Sequence, residues 1–334
     1  MPTSFAELTT LRVGGPVGEY HEALDAEHAV FLLRQAKGKD VLVLGGGSNL
    51  LVGDAGFDAV TIRMTSDSVV VDASGLVTAA AGAEWDTVVS RSIAEGLAGL
   101  EALSGIPGSV GGTPVQNVGA YGATTSDVLS SLTVYDRARD QVEVWGGDRC
   151  GFGRHRDSVF KRSRRWVVLD VSYALRRSDT TAPLRYAALA EELGAKLGDR
   201  PGIVATRAAV LALRRRRGML LDETDHDTWS VGSFFLNPVV ARAPADAPYF
   251  PDADGVKLSA AWLIENAGFS RGYGAGFGRG AVTLSEKHAL AITNRGDATA
   301  SEVVEFATHI RDGVRERFGV ELTPECDLIN CALG

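Results

Sequence analysis

Apolar positions recur along this chain first at helical and then at strand spacing, and each change of period marks an element. Asp25 is placed to cap a helix in which Val30, Leu32, Leu33 and Ala36 supply the apolar side and Gly38 supplies the stop. The short run Val41 to Leu44 reads as a strand, the turn Gly45-Gly46-Gly47-Ser48-Asn49 follows at once, and Leu50-Leu51-Val52 resumes as strand. Strand, tight turn and strand is not the strand-to-helix order of a dinucleotide fingerprint, so a G-x-G-x-x-G reading fails on context. Further on, Val69–Val71, Leu132–Tyr135, Val142–Trp145 and Trp166–Tyr173 are rich in β-forming residues and surround a helix near Trp85 to Glu95 that Gly96 ends. Between them, Ser104 to Pro114 holds too much glycine and proline for a helix or a central strand, which predicts an irregular loop of the kind that carries sites.

Helical spacing returns over Pro183 to Leu197 and Ile203 to Arg217, the second run closing on four arginines from Arg214 before Gly218. Leu258 to Ala267 predicts a short helix stopped by Gly268, and Ala289 to Thr293 a buried strand. Thr299 and Glu302 form a capping box ahead of a long helix with Val303, Phe306, Ile310 and Val314 on one face and Gly319 at its end. A last strand is expected over Val320 to Leu322.

The chain has 334 residues, enough at roughly 150 residues per domain for about two cores. Its 45% apolar and 23% charged content is that of an ordinary globular protein. A net charge of −8 argues against a general nucleic-acid binder, so an anionic ligand must meet a local group of arginines. No apolar run approaches the ~18 residues of a membrane span, and residues 1–10 lack the basic start and apolar core of a signal peptide, which predicts a cytoplasmic protein. Cys150, Cys326 and Cys331 have no framework spacing, and the six histidines make no ligand pair, so no catalytic metal is expected.

Glycine, at 39 residues, is the enriched signal. The two glycine-rich turns make sense together if both approach a pyrophosphate, because backbone N–H groups reach an anion where a Cβ would clash; taken singly, each is equally a tight turn. Arg154-His155-Arg156 could hold a carboxylate or phosphate, although local sequence alone favours a solvated basic loop. Ser233, in Gly232-Ser233-Phe234-Phe235-Leu236-Asn237-Pro238, lacks a nucleophile elbow and a paired base, which rejects a hydrolase and leaves a structural serine or a proton donor.

Taken in order, Thr10-Leu11-Arg12-Val13-Gly14-Gly15-Pro16, the Gly45–Asn49 turn, Ile106-Pro107-Gly108-Ser109-Val110-Gly111-Gly112 and Gln116-Asn117-Val118-Gly119-Ala120-Tyr121-Gly122 resemble the UDP-N-acetylenolpyruvoylglucosamine reductase family. Arg156-Asp157-Ser158-Val159-Phe160-Lys161, the Gly232–Pro238 segment and Leu322-Thr323-Pro324-Glu325 continue the likeness over nearly the whole chain. The resemblance implies an α+β fold: an FAD-binding domain of the p-cresol methylhydroxylase type, in two subdomains that hold FAD between them, and a C-terminal α+β substrate-binding domain. The implied boundaries are 1–68 for the first flavin subdomain, 69–217 with 320–334 for the second, and 218–319 for the substrate domain. It further implies a cytoplasmic monomer, without nucleic-acid or membrane partner, in which NADPH reduces FAD and leaves. UDP-N-acetylglucosamine enolpyruvate then takes its place and is reduced to UDP-N-acetylmuramate for peptidoglycan.

By the same resemblance Arg156 and Glu325 hold the charge that develops on the substrate and Ser233 protonates its carbon. Gly45, Gly46, Gly47, Ser48, Asn49, Pro107, Gly108, Gly111 and Gly112 would bind FAD. Tyr121, His155, Tyr186, Arg217, Asn237 and His288 would touch the substrate, with Tyr186 matching the tyrosine of the longer-tailed subgroup. Four positions depart from the family pattern: His155 stands for a tyrosine, Arg217 for a lysine, Leu236 for a polar residue or lysine, and His288 for glutamine. Two other readings compete. An oxidase of the same flavin fold would often tether FAD through a histidine, and none accompanies the first two glycine motifs; a binding protein without turnover would have no use for Arg156, Ser233 and Glu325.

Overall fold

Asp25 caps the first helix as its position predicts, its carboxylate accepting from the His28 N–H at 2.7 Å, in a computed structural model that describes residues 1–153 and 157–334. The described chain forms two units, one of residues 19–46 and 59–216, the other of 1–18, 47–58 and 217–334.

In the unit of residues 19–46 and 59–216, helix α1 (Ala26–Gln35) precedes the strand Val41–Leu44, which pairs in parallel with Phe57–Met64; Val17–Ala23 lies on the other side of Phe57–Met64. Ala29, Val30 and Leu33 of α1 pack with Val41, Val60 and Ile62 in one core, where the apolar face of the helix is removed from water. A second, five-stranded antiparallel sheet runs Gln141–Gly146, Leu129–Asp136, Trp166–Ala174, Leu76–Ala80, Val69–Val71. Helix α2 (Trp85–Ala94) packs Trp85, Val88 and Val89 into the core of that sheet. A one-turn helix, α3 (Val159–Arg162), precedes Trp166–Ala174. The run expected to be helical from Pro183 to Leu197 forms only α4 (Ala187–Glu192). Leu184 instead donates its N–H to Asp199 and accepts from Gly198, which bends both ends of the run toward each other before they can join a helix. Helix α5 (Ile203–Arg216) is as expected and buries Val210 and Leu213 against Leu189 and Ala190 of α4.

The other unit is built on one core in which Phe234, Phe235, Leu263, Ile264, Val303, Phe306 and Ile310 are all buried. Helix α6 (Ala260–Asn266) begins later than the pattern suggests, because Ser259 caps it and Leu258 ends the strand Gly255–Leu258. Helix α7 (Ala300–Phe318) has the expected capping box at Thr299 and Glu302 and the expected left-handed stop, Gly319 at φ 67°. Asp54 adds a second cap, accepting from the Ala300 and Ser301 N–H groups at 2.7 and 2.8 Å, where a carboxylate also meets the positive end of the helix. The buried strand expected over Ala289–Thr293 is Ile292–Asn294, paired with Val282–Leu284. Val320–Leu322 forms no strand; the terminal strand is Asp327–Ile329, which pairs in parallel with Leu50–Val52 and so packs residues 320–334, assigned from the sequence to the second flavin subdomain, in this unit.

Candidate functional site

Ser233 and Glu325 are 92 positions apart in sequence, and backbone pairing brings their segments together. Phe234 and Phe235 are fully buried and anchor an extended segment that is bridged antiparallel to the chain at Pro324. Across that bridge the Glu325 N–H donates to the Phe234 carbonyl at 2.8 Å and the Leu236 N–H to the Thr323 carbonyl at 2.9 Å. Ser233 and Glu325 are therefore one step apart in register, both half-buried. The Asn49 amide joins them by donating to the Glu325 carbonyl at 3.4 Å, which seats the end of the first glycine turn at the same place.

The opposite edge of the Phe234 segment supplies His288. The Phe234 N–H donates to the Leu290 carbonyl at 2.8 Å, and the Ala291 N–H to the His288 carbonyl at 3.1 Å. Partial burial, with Arg217 and Arg271 beside it, pushes the His288 imidazole down to about 4, so it is neutral at physiological pH. Its turn is held by a serine that sequence reading passed over. Ser285 Oγ accepts from the Lys287 and His288 N–H groups at 3.0 and 3.1 Å and donates to buried Asp227 at 2.8 Å. Asp227 also accepts from the Glu286 N–H at 2.9 Å and from Arg295 at 3.2 Å. A Ser two and three residues ahead of turn N–H groups is a local signal that could have found this turn; its partner Asp227 has none. Asn237 is committed elsewhere in part: its side-chain oxygen accepts from the Ala260 N–H at 2.9 Å at the start of α6.

In the unit of residues 19–46 and 59–216, Gly45 and Gly46 of the first glycine-rich turn lie against Ser109 and Gly108 of the second, and Gly111 lies against Ala81. A Cβ on Gly45 would lie 2.0 Å from Ser109 Oγ, one on Gly46 2.7 Å from the Gly108 Cα, and one on Gly111 2.8 Å from the Ala81 Cβ. At Gly46, where the neighbour is backbone, only glycine permits that approach. Gly112, by contrast, is exposed with open space where its Cβ would be. Pro107 and Gly108 lie in the same loop, which α2 secures through the Trp85 N–H donating to the Gly108 carbonyl at 3.0 Å. Gly45, Gly46 and Gly111 are thus accounted for by close packing within the protein, while Gly112 is exposed with room at its Cα for a ligand backbone or phosphate to approach. Tyr121 and Tyr186 of the same unit meet edge to face, ring centroids 5.5 Å apart, with Tyr186 exposed. Arg154, His155 and Arg156 lie outside the described residues, as therefore do the expected roles of His155 and Arg156.

Residues 22–144 match the model of an FAD binding domain, and residues 223–329 match that of the UDP-N-acetylenolpyruvoylglucosamine reductase C-terminal domain. The UDP-N-acetylenolpyruvoylglucosamine reductase of Nocardia farcinica is 51% identical over 96% of this chain and 87% of its own length. That of a Mycobacterium species is 48% identical over 99% and 96%. The crystal structure of the UDP-N-acetylenolpyruvylglucosamine reductase from Thermus caldophilus superposes with a TM-score of 0.69 at 26% identity, covering 98% of this chain and 97% of that one. The chain belongs to the UDP-N-acetylenolpyruvoylglucosamine reductase family.

Proposed function

We propose that this chain is an FAD-dependent reductase that uses NADPH to convert UDP-N-acetylglucosamine enolpyruvate to UDP-N-acetylmuramate in peptidoglycan precursor synthesis. The reading rests on the chain's membership of the family, and the antiparallel bridge at Phe235 and Pro324 supports it by bringing the segments that carry Ser233 and Glu325 together. FAD, when bound, supplies the hydride chemistry that no side chain offers. Gly45, Gly46, Gly47, Ser48, Asn49, Pro107, Gly108, Gly111 and Gly112 are the residues assigned to hold it. In functional terms, residues 1–68 and 69–217 serve flavin binding and 218–319 the substrate.

Reducing the enolpyruvyl double bond adds hydride to the terminal methylene and a proton to the neighbouring carbon, where negative charge develops together with the carboxylate. The Ser233 hydroxyl is the proton donor. A serine is a weak acid, so it serves only a strongly basic, enol-like carbon within hydrogen-bond reach. Glu325 and Arg156 hold the developing charge, the arginine by charge-assisted hydrogen bonds and the glutamate as a protonated donor or as the group that orients the arginine. Neutral His288, Arg217, Asn237, Tyr121, Tyr186 and His155 are assigned to the sugar nucleotide. The family resemblance extends the reading to a monomer acting in the cytoplasm.

An anaerobic titration tests it. The purified protein is expected to be yellow, to bleach with NADPH and to recover its visible bands only when the enolpyruvyl sugar nucleotide is added. Recovery in air alone would favour the oxidase, and absence of flavin would remove the proposal.

A further inference from the structure

A loop that receives an anion must keep its N–H groups directed outward, so it forgoes many of the hydrogen bonds that fold an ordinary turn. Its order then has to come from side chains around it. In the loop running from Gly105 to Gly112, the Val110, Gly111 and Gly112 N–H groups donate inward to the Ala83, Ala81 and Ser109 carbonyls, so the support by side chains falls at its entry. Asp86, in the first turn of α2, accepts from the Gly105 N–H at 2.6 Å. Arg207 of α5 grips the same carboxylate with both terminal nitrogens, at 2.6 and 2.7 Å. Seven residues on, two turns along the same helix, the Nε of Arg214 donates to the Gly105 carbonyl at 3.0 Å. Both backbone polar groups of one left-handed glycine, φ 70°, are thus held by side chains from two helices. Burial alone would raise the Asp86 carboxyl, but the Arg207 fork and the Gly105 N–H outweigh it and keep Asp86 below its ordinary value.

We propose that Asp86, Arg207 and Arg214 are positioning residues for the flavin: by fixing Gly105 at both its N–H and its carbonyl, they hold the 105–112 loop in the form that receives the cofactor's diphosphate. The inference rests on the assignment of that loop to FAD. A planar guanidinium suits the task because its two parallel bonds fix an orientation as well as a distance, which a lysine at Arg207 would not do. The clamp is independent of the other contacts of α5. Val210 and Leu213 face Leu189 and Ala190, and Arg216 pairs with Glu192 without touching Gly105.

The test is the rate at which the full-length holoprotein releases FAD after dilution, followed as recovery of free-flavin fluorescence. Arg214→Met removes one charge-assisted hydrogen bond to a carbonyl and is expected to speed release at least ~10-fold. Arg207→Met is expected to do the same, with Arg207→Lys intermediate because it keeps the charge and loses the fork. Arg216→Gln should release FAD at the unaltered rate, which separates the clamp from a general loosening of α5. Should Arg207→Met fail to fold, Arg214→Met still decides the matter, since it leaves the Asp86 pair intact. Release within twofold of the unaltered protein for Arg214→Met, or equal acceleration by Arg216→Gln, overturns the proposal. An unaltered protein that retains no flavin refutes instead the assignment of the loop on which it rests.

Discussion

Asp227 and Ser285 share one hydrogen bond, and the turn that presents His288 depends on it, so the pair can be tested by a double-mutant cycle. Ser285→Ala removes the hydroxyl that donates to Asp227 at 2.8 Å and accepts from the Lys287 and His288 N–H groups at 3.0 and 3.1 Å. Asp227→Asn keeps the shape but withdraws the charge that also faces Arg295 at 3.2 Å and Lys287 at 3.9 Å. Asp227 is 5% exposed, whereas Arg295 and Lys287 are 30% and 37% exposed, so water moderates the loss of the ion pairs more than that of the buried bond to Ser285. A hydrogen bond to a charged group is worth roughly 1.5–3 kcal/mol, which puts each single change near ~2 kcal/mol. Ser285→Ala deletes the bond and Asp227→Asn leaves only a neutral amide to share it, so the double variant should fall short of the sum by about 1 kcal/mol. Urea unfolding of the four proteins gives the free energies. Steady-state kinetics should show the KM for the enolpyruvyl nucleotide raised ~5-fold in either single variant, the equivalent of about 1 kcal/mol of binding, with flavin content unchanged. Free energies that add within ~0.5 kcal/mol would refute the shared bond as the support of the turn. An unchanged KM would refute its role in presenting His288.

Ser233→Ala should leave reduction of the flavin by NADPH nearly intact and slow the return of its visible bands with substrate by at least ~10²-fold in anaerobic stopped flow, as loss of a general acid does; equal loss in both halves contradicts the assignment. Gly45→Ala drives a Cβ to 2.0 Å from Ser109 Oγ and 3.2 Å from its Cβ, so it should lower flavin content, and Ser109→Gly in the same chain should restore part of it. No restoration would mean that the two turns do not meet as described. His288 stands at about 4 in the folded chain against 6.5 when free, so between those values the unfolded chain binds more protons and stability falls as pH drops. The loss amounts to as much as ~3 kcal/mol, all of it regained above pH 6.5. His288→Gln should flatten that part of the urea-derived stability profile, and an unchanged slope would show that the imidazole is not held neutral.

What the sequence revealed and what it concealed divide along one physical line. Thr299, Glu302 and Gly319 were legible because caps and stops act within a turn or two of their own residue, and α7 begins and ends where they stand. The glycines of both glycine-rich turns were legible because a missing Cβ is itself the signature of a close approach, and Gly45 and Gly46 do approach Ser109 and Gly108. The run from Pro183 to Leu197 misled because its apolar spacing is helical, while hydrogen bonds of Leu184 to Gly198 and Asp199 override that spacing. The pairing of the Ser233 and Glu325 segments could be suspected only from the order of the family motifs, since a bridge between Phe235 and Pro324 leaves no trace in the spacing of either segment. Least legible are Asp86, Arg207 and Arg214, for a charged residue on an amphipathic helix looks the same whether it faces water or clamps a loop. Glycine at a close approach records what had to be absent, and absence is visible in a sequence. The side chains that stiffen such a turn record a geometry between helices 121 residues apart, as Asp86 and Arg207 are, and that is visible only once the chain has folded.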